Sequence, residues 1–309
     1  GSKGGGGDWW RWMMVAGVVP DILAVSLVYF YLPESPRFLL AQGRVAEAEK
    51  VVRQVAEMND ATDSLLDGGR LSRVEEVGAG DPGRRFLQIL EPPLLPNIVL
   101  IVIVWSLTAL PLFGVSYVYP IVLESQFGLG AHNQFLLMIP FVMVEILGLL
   151  VAFLFLDDVR VGRKRTLAAF SGLTVVVLIY AFWVAEGGLW LVTSSYLLLK
   201  VVTPTPYEIM YIWAAELLPT THRNQGLSIG NSSTKLVGGV ALPVLITWLV
   251  LEHGLVEANR MAFAAYAVSS LAVVGIVLVF GRETVGRLMV DVSQESVDDD
   301  KLLVSQRLG

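Results

Sequence analysis

The sequence predicts an all-α membrane protein with seven transmembrane helices. Of its 309 residues, 54% are hydrophobic and 16% are charged, whereas soluble domains carry about 25% charged residues. The charged residues are concentrated in short segments. They leave apolar runs of about 20 residues between them, which is the length that crosses roughly 30 Å of hydrocarbon.

Seven apolar runs define the predicted spans. Pro204 and Pro206 interrupt the fifth run, and they predict a bent helix there because proline breaks the hydrogen-bond ladder of a helix. The spans are predicted at Trp12–Leu32, Leu94–Leu123, Phe135–Leu156, Thr166–Ala185, Leu189–Leu218, Gly226–Leu251 and Met261–Phe280.

The spans divide the chain into four parts. A polar loop after the first span contains two helical-looking pieces, near Ala46–Met58 and Gly83–Leu90. The four parts are residues 1–32 with the first span, 33–93 with the polar loop, 94–281 with six further spans, and the polar tail 282–309.

Lysine and arginine residues predict the orientation in the membrane, because cytoplasmic loops are enriched in them. Residues 33–93 contain eight of them and the loop between the third and fourth spans contains four, whereas residues 124–134 and 186–188 contain none. We therefore expect an integral multi-pass protein with its N-terminus outside and its C-terminus in the cytoplasm.

Composition excludes several classes of function. The net charge of −6 argues against a nucleic-acid partner. The absence of cysteine excludes disulfides and thiolate metal sites, and the three histidines have no metal-ligand spacing. We expect no enzymatic activity, no cofactor and no metal. Seven spans with an outside N-terminus also describe a receptor, but charges within several spans and three basic inner loops argue against that class.

Several ordered motifs resemble one family of membrane transporters. Leu32-Pro33-Glu34-Ser35-Pro36-Arg37, followed by Gly43-Arg44, resembles the central loop of a major facilitator superfamily transporter. This form of the loop is shared by sugar porters, organic-ion transporters and synaptic-vesicle-glycoprotein-2-like proteins. Further likenesses are at Glu216-Leu-Leu-Pro219, Arg223 and Gly226, at Gly238-Gly239 with Pro243, and at Gly281-Arg282-Glu283-Thr284.

The resemblance implies a partial fold. The family has twelve helices in two related six-helix lobes, and this chain resembles the last helix of the first lobe followed by the whole second lobe. The first five helices would be missing. We therefore expect a fragment, a mis-predicted gene, or a chain whose N-terminal lobe is supplied by a partner.

The resemblance also implies gating residues. In the family, acids and arginines pair across helix ends on the inner side and hold the cytoplasmic gate shut. The family motif has its aspartate one residue later than Asp158, where this chain has Val159. The matching positions are Glu34, Arg37, Asp158, Arg163, Glu216 and Arg223.

Charged residues deep in the predicted spans mark a candidate solute site. A charge at the bilayer centre costs about 2.5–3.5 kcal/mol, so such residues normally face a cavity or a partner. Lys200 and Lys235 would attract an anionic solute, with Tyr207 and Tyr211 as walls and Asn231 on the stripe of Lys235. Glu145 or Glu208 would bind a proton or a cationic group. The alternative is structural pairing of lysines with acids, such as Lys200 with Glu145.

The preferred prediction is secondary active transport of a small polar or anionic organic solute by alternating access, with or without proton coupling. The expected partners are the lipid bilayer, the solute and the missing lobe, with protons optional. The sugar-binding glutamine pair of the family is not visible in Ile98–Leu123, which counts against a hexose. The alternatives are a non-transporting membrane scaffold that retains the lobe, or an organic cation or sugar transporter.

Overall fold

A computed structural model describes residues 9–58, 89–92, 94–158, 160–219 and 222–285. The chain divides into two compact units, Gly1–Gly80 and Asp81–Gly309. In the first unit the helices are α1 (Trp9–Tyr31), α2 (Pro36–Ala41) and α3 (Val45–Met58). In the second they are α4 (Leu95–Ser125), α5 (Ala131–Leu156), α6 (Gly162–Val184), α7 (Leu189–Val202), α8 (Pro204–Leu217), α9 (Arg223–Thr234), α10 (Leu242–His253) and α11 (Leu255–Phe280).

The first unit confirms one of the two helical pieces predicted in the polar loop. The piece predicted near Ala46–Met58 is α3. Leu39 and Leu40 of α2 are buried with Ala48 and Val51 of α3, and they form a small apolar cluster. The piece predicted near Gly83–Leu90 lies largely outside the described residues, and its last two residues form a turn.

The chain is an all-α membrane protein, as the apolar runs predict. In the described part of the chain, six helical stretches are long and apolar enough to span a membrane. Five of them correspond to single helices, and the sixth runs from Arg223 to His253. The predicted fifth span is instead a pair of helices, α7 and α8.

Two prolines account for the interruption between α7 and α8. The break lies at Thr203, directly before Pro204, and Pro206 lies within the first turn of α8. Proline donates no backbone hydrogen bond, so the carbonyls one turn earlier lose their partners. The hydroxyl of Thr174 in α6 lies 3.4 Å from the carbonyl of Val202. Each helix has 14 residues, or about 21 Å of rise.

A π-helical segment, Lys235–Ala241, connects α9 to α10. It contains Gly238 and Gly239 and is followed by Pro243 in the first turn of α10. Such segments occur mostly as local widenings of an α-helix and are frequent at functional sites. The segment contacts α4, where the ring of Phe113 packs against Gly238.

Two apolar clusters hold the second unit together. Helix α11 packs mainly against α6 and α4, and α4 also contacts α8, α9 and the π-helical segment. One cluster contains the fully buried indoles of Trp105 and Trp213, and the other contains Tyr119, Tyr196 and Phe263. Where a small residue faces a neighbouring helix, the two helix backbones can approach closely, as is common in membrane proteins.

We predict that Gly148→Ala destabilises the second unit. A methyl group at Gly148 would lie 2.0 Å from the backbone carbonyl oxygen of Val201, so α5 and α7 would have to separate. The matched control is Gly172→Ala in α6, where nothing lies within 4 Å of the added carbon. Thermal unfolding of the purified chain in detergent should show a lower Tm for Gly148→Ala alone. Equal Tm values would contradict the packing described here.

Candidate functional site

Lys200 and Glu145 form a loose ion pair in the middle of the second unit. The Nζ of Lys200 in α7 donates a hydrogen bond to Ser116 Oγ of α4 at 2.8 Å. The same Nζ lies 3.8 Å from Glu145 Oε2 of α5. The structure therefore contains the lysine–acid pair that the sequence leaves open as a structural alternative.

A cavity of about 220 Å³ opens beside this pair. Its walls come from α4, α5 and α7, and they include both charged side chains and aromatic rings. Its lining includes Ser116, Tyr119, Phe141, Glu145, Tyr196 and Lys200.

Lys235 and Glu208 add a second pair of charges. Lys235 begins the π-helical segment, and its Nζ lies 4.8 Å from the centre of the Phe113 ring, within the range of a cation–π contact. Glu208 is exposed on α8. Among the described residues, neither side chain has an ion-pair partner of opposite charge within 4.0 Å. When all four are ionised, Lys200 and Lys235 together with Glu145 and Glu208 have no net charge.

Asn231 connects the two predicted wall tyrosines to α9. Its Oδ1 accepts hydrogen bonds from the hydroxyls of Tyr207 at 3.2 Å and Tyr211 at 3.3 Å. Tyr207 is buried, whereas Tyr211 is 37% exposed. The ring of Trp105 contacts Tyr211 edge-on, with ring centres 4.6 Å apart. Of the two tyrosine rings, that of Tyr211 is therefore the more accessible.

The sequence assigns no role to Ser116 or Phe113, although both contact a predicted site lysine. Their signal is weak because serine and phenylalanine are ordinary residues of an apolar helix. Only the crossing of α4 with α7 and with the π-helical segment brings them to Lys200 and Lys235.

Arg163 is the centre of a charged cluster at one end of the second unit. Its Nη2 lies 3.0 Å from Asp157 Oδ1 and 3.1 Å from Glu216 Oε1. The side chains of Arg163 and Glu216 are each 14% exposed, whereas that of Asp157 is 71% exposed. Water and salt screen an exposed pair more strongly. The contact with Glu216 is therefore the stronger of the two.

The structure corrects the predicted aspartate of this cluster from Asp158 to Asp157. Helix α5 ends at Leu156, and Asp157 is the residue that caps it. The carboxylate of Asp158 instead accepts a hydrogen bond from the backbone N–H of Arg160 at 2.8 Å, within its own turn. The family motif has its aspartate at position 159, after Asp158, whereas the aspartate that contacts Arg163 is Asp157, before it.

Glu283 and Thr284, which the sequence leaves without a role, complete the cluster. The carboxylate of Glu283 accepts hydrogen bonds from the N–H groups of Arg163 at 2.9 Å and Lys164 at 3.2 Å. An anion is favourable there because the first N–H groups of a helix have no partner within it. A Cβ at Gly162, which has a φ of +72°, would lie 2.3 Å from this carboxyl group. The hydroxyl of Thr284 donates to Glu216.

The other predicted gate residues lie in different settings. The Nε of Arg223 donates to the carbonyl of Ala215 at 2.7 Å, across the turn between α8 and α9. In the first unit, Glu34 accepts a hydrogen bond from the N–H of Ser35 at 3.1 Å. The side chain of Arg37 lies outside the described part of the chain.

Spanning helices with ionised side chains between them, and arginine–carboxylate pairs at their ends, are features of a membrane solute transporter. A family model described as sugar (and other) transporter matches residues 2–295. The chain belongs to this family, which is part of the major facilitator superfamily. It is a transmembrane transporter family, and the expectation that the chain is not an enzyme is confirmed.

Curated relatives are similar over most of this chain but are much longer. Solute carrier family 22 member 21 of Mus musculus is 28% identical over 243 residues, which are 77% of this chain and 41% of that protein. Organic cation/carnitine transporter 2 of Rattus norvegicus is 28% identical over 241 residues, with the same two shares. The chain thus spans about two fifths of the length of these relatives.

A solved structure supports the fold. The crystal structure of a double-tryptophan mutant of XylE superposes with a TM-score of 0.67 at 18% sequence identity. The match covers 92% of this chain and 58% of that one. The described helices therefore form part of the major facilitator fold.

We predict that Glu216→Gln destabilises the chain more than Asp157→Asn does. Loss of a charge-assisted hydrogen bond at a mostly buried site costs about 1–3 kcal/mol, whereas an exposed pair contributes about 0–1 kcal/mol. Both substitutions remove one carboxylate charge from Arg163, so each serves as the control for the other. Thermal unfolding in detergent measures the difference. A larger loss for Asp157→Asn would contradict the assigned strengths.

Proposed function

We propose that this chain forms the second half of a transporter for small organic cations or zwitterions. The relatives named organic cation/carnitine transporters align with 77% of the chain, and this likeness carries the proposal. It favours the organic-cation alternative over the anionic solute that Lys200 and Lys235 suggest by themselves. The charges support the same choice, because Glu145 lies near Lys200 and offsets its positive charge.

The proposed solute site uses carboxylates and aromatic rings. Glu208 and Glu145 would attract the ammonium group of the solute. The exposed ring of Tyr211 and the ring of Phe113 would contact it, since cations are attracted to aromatic faces. In a zwitterionic solute, Lys235 would bind the carboxylate. Glu208 and Glu145 are also the groups that would carry a proton if transport is proton-coupled.

The proposed mechanism is alternating access of two lobes around this site. We place the charged cluster around Arg163 on the cytoplasmic side, where breaking the Arg163–Glu216 pair would accompany opening of the inner gate. Arg223, together with Glu34 and Arg37, would act at the same gate. The first five helices of the family fold would come from a longer form of this protein or from a partner.

Uptake by a chimaera tests the proposal. Residues 9–309 would follow the first five helices of the rat organic cation/carnitine transporter 2 in proteoliposomes, and uptake of radiolabelled tetraethylammonium, carnitine and an organic anion would be measured. We expect uptake of the cation or the zwitterion. Glu208→Gln removes a carboxylate charge from the proposed site and should lower cation uptake about tenfold, which corresponds to about 1.4 kcal/mol. Glu124→Gln, at the exposed end of α4, is the matched control.

Three other outcomes would separate the alternatives. If the chimaera takes up only the anion, and Lys235→Ala abolishes that uptake, the result would support an anionic solute over a cationic one. Cation uptake that Glu208→Gln leaves unchanged would remove Glu208 from the site. A folded chimaera that moves none of the three solutes would favour the non-transporting scaffold.

A further inference from the structure

The cavity beside Lys200 lies wholly within the second unit. Its walls belong to α4, α5 and α7 of the second unit. Three buried aromatic rings line it, and the ring centre of Tyr119 lies 4.6 Å from those of both Phe141 and Tyr196, in tilted arrangements. The hydroxyl of Tyr196 is already bonded to Asn259 at 3.0 Å. The Tyr196 hydroxyl proton is therefore already donated within the protein.

The charged side of the cavity is incompletely paired. Charge-assisted N–H···O bonds are usually about 2.7–2.9 Å long, and the 2.8 Å contact of Lys200 is with the hydroxyl of Ser116. Its distance to Glu145 is 3.8 Å, and the side chain of Glu145 is 34% exposed. Among the described residues, none donates a hydrogen bond to the Glu145 carboxylate. That carboxylate can therefore accept a second cation while Lys200 remains on Ser116.

We propose that this cavity binds a small organic ammonium ion beside Glu145, and that Lys200 is a tethered competitor for the same carboxylate. The inference rests on the cationic solute class proposed above. Ligand pockets for drug-sized molecules measure about 300–1,000 Å³. A volume of 220 Å³ selects a small amine or a short-chain quaternary ammonium.

Two features of the cavity disfavour an anion there. An anion drawn to Lys200 would lie close to the carboxylate of Glu145. It would also face aromatic rings, whose faces carry partial negative charge. A cation gains from both features and is opposed only by Lys200. Competition by Lys200 would keep binding weak enough for release, which transport requires.

Binding of radiolabelled tetramethylammonium to the 309-residue chain in lipid nanodiscs, measured by equilibrium dialysis, tests the proposal. We expect Lys200→Met to bind about tenfold more tightly and Glu145→Gln about tenfold more weakly, a change of about 1.4 kcal/mol in each case. The double variant should bind as weakly as Glu145→Gln. Lys50→Met, on the exposed surface of α3, is the control and should leave binding unchanged.

Ser116→Ala gives a second test that leaves both charges in place. Without the hydroxyl, Lys200 should move closer to Glu145, so tetramethylammonium should bind more weakly than to the unchanged chain. This variant decides the matter if Lys200→Met fails to fold. Unchanged binding in Ser116→Ala would then overturn the proposal.

Two further results would overturn it. Stability losses in both single variants that are restored in the double variant, without changes in binding, would show a purely structural pair. Acetate binding that disappears in Lys200→Met would show an anion site. Neither result changes what the chimaera experiment tests. If the chimaera takes up cations but the 309-residue chain does not bind tetramethylammonium, the proposed role of this cavity is wrong and the proposed transport function stands.

Discussion

The second unit depends on one electrostatic constraint: an ionised side chain between spanning helices needs a partner of opposite charge or a polar contact. Removing a charge from water costs several kcal/mol, and close opposite charges recover this only with good geometry. Arg163 satisfies the constraint with two carboxylates and the carbonyl of Leu156, which accepts from Nη1 at 2.7 Å. Lys200 satisfies it with Ser116 and, at a greater distance, with Glu145.

The difference between these two groups is geometric. At the charged end, Glu216 also accepts a hydrogen bond from Thr284, and Glu283 binds the N-terminus of α6. These contacts hold the ends of α6 and α8 and the segment after α11 together. In the middle of the unit, Lys200 has one short contact and one long one. The first arrangement is closely paired, whereas the second leaves the Glu145 carboxylate incompletely paired.

The apolar runs predict the helices well because the thickness of hydrocarbon sets their length. The break near Thr203 can also be predicted from the sequence, since Pro204 and Pro206 act through their own backbone. The sequence does not predict that Asp157, and not Asp158, contacts Arg163, because this depends on the direction in which the chain leaves α5. Glu283 is 120 residues from Arg163 in the chain, so only the packing of α11 against α6 brings them together. The role of Ser116 depends likewise on the crossing of two helices.

Helix α8 carries residues of both the proposed solute site and the charged cluster around Arg163. Glu208 lies in its first half, Tyr211 lies just past its midpoint, and Glu216 lies near its end. Eight residues separate Glu208 from Glu216, about 12 Å at 1.5 Å per residue. The interruption at Thr203 separates α8 from α7, which carries Lys200. The two prolines at this break interrupt the hydrogen-bond ladder between α7 and α8. A tilt of α8 would change the position of Glu208 relative to Lys235 and the length of the Arg163–Glu216 contact together.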